Sequence, residues 1–561
     1  MSYKLHDELD IMEHDGNTTF VTTAIDYPNA LPHIGTAFEK IGADAYARFR
    51  RFQGRDVYFL MGNDENTAKV VKAAEAKSLT DYKQYVDGMA ESFKKVWQQL
   101  NISYDDFIQT SEERHKIGVQ HFLNVVNDAG FIQKRKYKGW YCPGCEEFKT
   151  PGAKSANSDV VLPDNTCPYH PNAELVEREE ENYFFLLSKF QQWVSDLLYS
   201  TPFISMFLSV EPEIRENEVN KFVESGLQDI SISRKNEGWG IPLPWDDSQV
   251  TYVWFDALLN YLTAIGFGTD WEKFEKLWPA EVHFVGKDIT RFHCALFPAM
   301  LEAYNRGCKD KSQSLKAFPV RVFAHGFIYQ KHNNQIIKSS KSGNAVNPIE
   351  LIEQFGADAY RYYFLAKCDY GSDGVFTLDH FKESYNAELA NGVGNLVSRL
   401  HSMVNKYCGG LAKPSEGALE GRFSSFWITP ETLEAYEKFV VEKCSFHRAL
   451  EIVRDIVWRV SQYLDQMKPW DVSNSSDPQL SDSAANTLYT AANSLRIIAL
   501  LLRPFIPDSA EKLYNAFEWP VSWDQSSWNG LKLIAKDNFI GVEDGVKTRG
   551  DKFQPLFPRV K

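Results

Sequence analysis

The 561 residues carry 61 Lys+Arg against 75 Asp+Glu, a formal net charge of −14, and are 43% hydrophobic and 24% charged. That length predicts roughly three to four domains at about 150 residues each, and the acidic balance excludes a protein that coats nucleic acid by bulk charge, though not a local surface that grips it. The densest apolar run, residues 497–502, is closed by Arg496 and Arg503, far short of the about 20 residues of a membrane span. The N-terminus has no basic start and no apolar core, so no signal peptide is predicted and a cytoplasmic protein is expected.

In chain order, residues 19–25 read as a strand ending in the turn Asp26-Tyr27-Pro28-Asn29. A helix follows from about Thr36, with Phe38, Ile41, Ala45, Phe49 and Phe52 at helical spacing. Residues 57–61, 282–285 and 320–324 are further apolar runs, each stopping at Gly or His-Gly with polar neighbours. Helices between such runs predict an α/β fold with a Rossmann-like parallel sheet, whose ligands sit beyond the C-terminal strand ends. Residues 118–240, with a Cys cluster and the acidic run Glu177-Arg178-Glu179-Glu180-Glu181, interrupt this pattern as an insertion. The expected organisation is therefore a catalytic domain in two halves, 1–117 and 241–330, around the insertion 118–240. A basic-loop region follows over 331–378. From about Asp379 two apolar stripes, Leu389-Val393-Leu396-Leu400-Met403-Tyr407 and Leu450-Val453-Val457-Val460-Leu464-Met467, predict an all-helical domain over 379–561.

Two elements suit phosphate chemistry. Pro32-His33-Ile34-Gly35-Thr36 stands directly after a strand and turn at a helix start. Gly35 lets backbone approach a ligand, the helix N-terminus favours phosphate, and His33 can donate to a phosphate oxygen. Lys338-Ser339-Ser340-Lys341-Ser342-Gly343-Asn344 is a basic loop with hydroxyls, suited to a triphosphate. Alone, an ordinary turn and a solvated loop explain them as well. In this order the two resemble the signatures of class I aminoacyl-tRNA synthetases. The stretches TTAIDYPNA (22–30), GNDE (62–65), YVWFDA (252–257), VGKDI (285–289) and FGADAYRY (355–362) resemble methionyl-tRNA synthetases in particular. The resemblance is colinear from about Thr19 to beyond Pro504.

That resemblance implies ATP-dependent activation of methionine to methionyl-adenylate and transfer to tRNA(Met), with Mg2+ accompanying ATP. It places the methionine pocket on Ala24, Ile25, Tyr27, Trp254, Ala257, Leu258, Tyr261, Ile289 and His293, with Asp64 for the ammonium. Trp254, Ala257, Leu258 and Tyr261 are spaced i, i+3, i+4 and i+7, one helix face, and rings suit a thioether; plain core packing would use the same stripe. It puts ATP at His33, Gly35, Thr36, Gly286, Asp288, Lys338 and Lys341, of which His33, Thr36, Lys338 and Lys341 serve the chemistry. Tyr261 and His293 are expected to add polar contacts to the sulfur. The chain departs from the family pattern at Thr36, which stands for a His and cannot carry positive charge. It departs again at Asn66-Thr67, at Leu258, and in the shortened Lys338–Asn344 loop.

Cys142-Pro-Gly-Cys145 and Cys167-Pro-Tyr-His170 have the spacing of a Cys3His site for one structural zinc, since four protein ligands leave no open position. On the helical domain Asn391, Asn395, Arg399, Ser402 and Lys406 form a polar ridge whose amides and guanidinium suit base edges. The resemblance makes Asn395 and Arg399 anticodon readers and Trp470 the residue that stacks an anticodon base. No further module follows the helical domain, so a monomer is expected. Two alternatives remain at this level: a paralogue that passes an activated amino acid to an acceptor other than tRNA, and a non-catalytic tRNA-binding protein.

Overall fold

A computed structural model of the chain describes residues 17–142, 147–149, 167, 174–199, 208–332, 335–338, 346–415, 428–472, 478–537 and 544–560. Its centre is a six-stranded sheet of β1 (Thr18–Thr23), β2 (Asp56–Asn63), β3 (Asp106–Gln109), β4 (Ser209–Glu211), β5 (Val282–Gly286) and β6 (Arg321–His325). The spatial order is β3-β2-β1-β5-β6-β4, and every pairing is parallel. β5 is buried along its whole length, as the interior strand of a sheet covered on both faces must be. The order reverses at β1. The chain runs outward through β2 and β3, then returns to add β5 and β6 on the other side. The crevice between β1 and β5 is where such sheets bind ligands.

Helix α1 (Ile34–Phe52) starts at His33, earlier than the periodicity predicts, because the His33 side chain caps it. It is buried on nearly every side, Lys40 and Asp44 included. The sheet covers one face and the later helices cover the other. Gly42 permits this: a Cβ there would lie 2.2–2.6 Å from the ring carbons and hydroxyl of Tyr370.

Helix α2 (Glu113–Asp128) leads from β3 into the insertion, where Ile132–Cys142 pairs antiparallel with Val176–Phe185. Glu147–Lys149 and Ile230–Ser231 complete that sheet. The acidic run lies opposite a lysine-rich strand, with Lys138–Glu177 at 3.1 Å and Lys134–Glu181 at 3.8 Å. One expectation needs correction. Residues 118–240 are not wholly an insertion, since β4 lies within them and edges the central sheet. A three-residue edge strand is too short to register as a periodic signal.

After β6, Ile328–His332 pairs with Gln335–Lys338 and with Gly374–Phe376. Helix α3 (Ala357–Lys367) then packs on α1. The C-terminal part holds α4 (Asn395–Cys408), α5 (Pro430–Val441), α6 (Phe446–Met467) and α7 (Pro478–Leu502). It is not purely helical: Leu411–Ala412, Val546–Thr548 and Phe517–Glu518 form a small antiparallel sheet. The first apolar stripe crosses a kink, because a π-helical segment, Tyr385–Gly394, precedes α4 and Gly392 has non-helical ψ. On α6 the buried line runs Leu450, Val453, Ile456, Val460 and Leu464, while Val457 is half-buried and Met467 is exposed. No helix among the described residues is long and apolar enough to cross a membrane.

Candidate active site

The cleft is assembled from loops at the C-terminal ends of β1, β2 and β5. Ala24 N donates to Phe284 O (3.1 Å), Asp26 N to Gly62 O (3.0 Å) and Asp64 N to Asp26 O (2.9 Å), so the three loops share one backbone floor. Gly62 and Gly286 line it closely. A Cβ at 62 would lie 2.3 Å from Ile108 O, and a Cβ at 286 would lie 2.8 Å from Asp288 Oδ1 and 3.8 Å from His325 Nε2. His33 Nδ1 accepts from Gly35 N (3.0 Å) and Thr36 N (3.2 Å). An accepting Nδ1 leaves the proton on Nε2, the tautomer that can donate. Thr36 Oγ1 lies 3.4 Å from the His33 ring nitrogens.

Beside this floor stands an aromatic wall. Trp254, half-buried, meets Tyr27 edge-on (6.2 Å between centroids) and stacks flat on Phe292 (4.3 Å, 4°). Ala257, Leu258 and Tyr261 are buried behind it. The expected single helix is two short ones, Val253–Leu258 and Asn260–Thr263. Leu259 between them keeps αR backbone, so the shared face survives. Tyr261 Oη lies 2.8 Å from His293 Nε2, and His293 Nδ1 lies 3.0 Å from Ile289 O. Thus Nδ1–H donates to the carbonyl and Nε2 accepts from the phenol. Burial pushes His293 down to about 4 and the Tyr261 phenol up, so the pair is neutral. The expected polar contacts to a sulfur therefore change character. Both protons are spent on protein acceptors, and the pair offers ring edges and a phenol oxygen.

Sequence reasoning missed several participants. Phe292 stacks on Trp254, and its neighbours Ile289 and His293 were the available signal. His283, on β5, bonds Thr22 Oγ1 through Nδ1 (2.6 Å) and lies 4.5 Å from the Tyr261 ring; alternation on a buried strand gave no hint of it. Beneath the floor lies a buried charged group. Lys40 Nζ donates to Ala24 O (2.7 Å) and pairs with Asp26 (3.1 Å) and Glu39. Glu39 Oε2 takes His325 Nε2 at 2.8 Å, and His325 Nδ1 lies 2.8 Å from Gly326 O. Burial opposes the Lys40 ammonium, but Asp26 and Glu39 outweigh it and raise its pKa. Burial also lifts the Asp26 carboxyl to about 6 against the pull of Lys40.

The departures Asn66 and Thr67 have local roles. Asn66 Nδ2 donates to Asp256 Oδ2 (2.7 Å), and Thr67 caps the helix Ala68–Ala76. Burial pushes the Asp256 carboxyl well up, against the Asn66 hydrogen bond. Thr23 Oγ1, both side-chain polar atoms of Asn63 and Asp256 Oδ1 are buried with no hydrogen-bond partner among the described residues. Polar groups of a ligand would satisfy such atoms.

Other expected residues stand as follows. The backbone of Lys338 ends the strand Gln335–Lys338, and Lys341 lies outside the described residues. Cys142 and Cys167 are buried together with Leu175, and Trp140 packs on them; Cys145 and His170 lie outside the described residues. On the helical domain Asn395 is exposed. Arg399 bonds Asp465 (2.6 Å), and its guanidinium lies over the half-buried Trp470 ring at 5.0 Å.

A parallel sheet with a His-capped helix at its switch point, followed by a helical domain, defines a class I aminoacyl-tRNA synthetase. The chain matches the family model for class I tRNA synthetases (M) over residues 19–401 and that for the anticodon binding domain of methionyl tRNA ligase over 424–546. It is 40% identical over 500 residues to the methionine–tRNA ligase of Streptomyces coelicolor, covering 89% of each chain. It is 37% identical over 559 residues to that of Bacillus subtilis, covering 98% of this chain and 79% of the relative. Its fold superposes with a TM-score of 0.82, at 33% identity, on Mycobacterium tuberculosis methionyl-tRNA synthetase in complex with methionyl-adenylate, covering 97% of this chain and 100% of the other. The chain belongs to the methionyl-tRNA synthetase family.

Proposed function

We propose that this chain joins methionine to tRNA(Met) in two steps. A methionine carboxylate oxygen attacks the α-phosphorus of ATP, giving methionyl-adenylate and releasing pyrophosphate. The 2′-hydroxyl of the tRNA terminal ribose then attacks the carbonyl carbon, and AMP leaves. The observation that carries the reading is the full-length likeness to the adenylate complex, with an aromatic wall set beside a nucleotide-type crevice. In this reading Asp64 receives the ammonium. Ala24, Ile25, Tyr27, Trp254, Ala257, Leu258, Tyr261, Ile289 and His293 enclose the side chain. Gly35, Gly286 and Asp288 hold the nucleotide. His33, Thr36, Lys338 and Lys341 meet charge that grows on the phosphates, so catalysis is positioning and electrostatic stabilisation without a protein-bound covalent intermediate. Mg2+ bound with ATP neutralises phosphate charge. Methionine-dependent exchange of pyrophosphate into ATP tests the first step and charging of tRNA(Met) the second. Absence of exchange with any amino acid refutes the enzymatic reading, and exchange without charging favours the paralogue.

The insertion, in the same reading, holds one zinc through Cys142, Cys145, Cys167 and His170. Two buried thiols in one cluster have the right donor chemistry for it. Metal analysis is expected to find one zinc per chain, lost in Cys142→Ala. A wild-type protein without zinc that keeps its insertion resistant to protease would refute it. The same reading makes the enzyme a cytoplasmic monomer, and light scattering on the purified protein checks the monomer.

A further inference from the structure

Trp458, on α6, is 61% exposed, the most exposed large apolar side chain among the described residues. Its surroundings are ordered. Arg454 bonds Glu388 at 2.9 Å, and Arg399 bonds Asp465 at 2.6 Å. The two bridges are eleven residues apart on both elements and run in the same sense. So α6 and the 385–408 helical segment run in the same sense, with the bridges about 16 Å apart along α6 at 1.5 Å per residue. Arg454, Trp458 and Asp465 share one stripe of α6, at i, i+4 and i+11. Trp458 lies four residues past the first bridge on α6, and the kink at Gly392 lies four residues past it on the other segment, flanked by exposed Asn391 and Asn395. A Cβ at Gly392 would meet only Ala387 O, at 3.5 Å, so the seam is open there. Beyond the second bridge stands Trp470, under the Arg399 guanidinium.

We propose that Trp458 is a second nucleobase platform: an unpaired base of the tRNA anticodon loop stacks on its indole, with its edge toward the amides of Asn391 and Asn395. Two aromatic faces then stand along this seam, Trp458 near the first bridge and Trp470 beyond the second. An indole face accepts any base, while the amides supply donors and acceptors for an edge. The inference rests on the tRNA-charging reading and deepens it.

The test uses the full chain and a labelled RNA hairpin with the anticodon arm of methionine tRNA, at fixed ionic strength. Trp458→Ala is expected to weaken binding about 5- to 150-fold, the usual worth of one stacked base. Trp458→Phe should stay within about threefold of wild type, because a phenyl face still stacks. Pyrophosphate exchange should be unchanged in both. The inference is overturned by unchanged binding in Trp458→Ala or by an equal loss in Trp458→Phe. It is overturned equally by the same loss on a hairpin with abasic loop positions, or by a parallel fall in exchange. If the wild-type chain exchanges pyrophosphate but binds no hairpin, the tRNA reading itself falls.

Discussion

Single side chains in this protein are governed by how little water reaches them. His115, His283 and His293 are all buried, and burial lowers their pKa values, to about 3 for His115 and about 4 for His293. A histidine lowered in the folded state binds its proton mainly in the unfolded chain. Stability is therefore full above the unfolded value near 6.5 and falls as pH drops toward the folded value. By about pH 5 His115 and His293 should each cost about 2 kcal/mol. His115, bonded to Thr263 at 2.8 Å and outside the cleft, isolates the effect. His115→Gln should flatten the decline of melting temperature between neutral pH and about pH 5, and identical slopes would reject the account. The ionic group of Asp26, Glu39, Lys40 and His325 shows the same dependence on environment. Asp26 reads from the sequence as a turn residue, and Lys40 stands outside the apolar spacing of the first helix. Lys40 is fully buried because α1 is covered on two sides, and the half-buried Asp26 pairs with it there, a fact that no local pattern carries.

Elements follow from sequence where one face decides them. His33 capping α1, Thr67 capping the next helix and the buried run of β5 are local chemistry, and they fall where the residues indicate. Elements deviate where a neighbour intrudes. α6 buries Ile456 in place of Val457, and the helix before α4 kinks at Gly392. Two helical glycines show the contrast. At Gly42 a Cβ would enter the Tyr370 ring, so Gly42→Ala should destabilise by about 1–3 kcal/mol. At Gly88, in the helix Tyr82–Gln99, nothing lies within 4 Å of a Cβ. Gly88→Ala should stabilise by up to about 1 kcal/mol through helix propensity. Denaturant unfolding of the pair measures both, and equal effects would mean that packing against Tyr370 is not what limits position 42.

At the scale of the molecule, the sheet and the helical domain meet through Arg361 on α3. Its guanidinium donates to Phe505 O (2.7 Å), Leu100 O (3.2 Å) and Pro504 O (3.1 Å), and pairs with Asp44 of α1 at 2.6 Å. Burial alone would raise the Asp44 carboxyl, but Arg48, Arg361 and Ser103 outweigh it and hold it at about 2. Arg361→Met removes one of that carboxylate's partners, leaving Arg48 and Ser103, and strips three buried carbonyls of their donor, at an expected cost of about 1.5–3 kcal/mol. It should also loosen the helical domain from the sheet, lowering tRNA charging more than pyrophosphate exchange. A loss below about 1 kcal/mol in denaturant unfolding would exclude this role. Residue order alone determined the parallel sheet, the turn at His33 ahead of the first helix, the aromatic stripe from Trp254 to Tyr261 and the family, because caps, strand periods and helical spacing are short-range and leave their marks in adjacent residues. Tertiary structure alone decided that Phe292 closes the aromatic wall, that Lys40 and Glu39 lie beneath the floor, that β4 edges the central sheet and that Trp458 stays exposed on α6. Each of these depends on segments distant in the chain packing side by side, and burial, pairing and register between such segments exist only once the chain has folded.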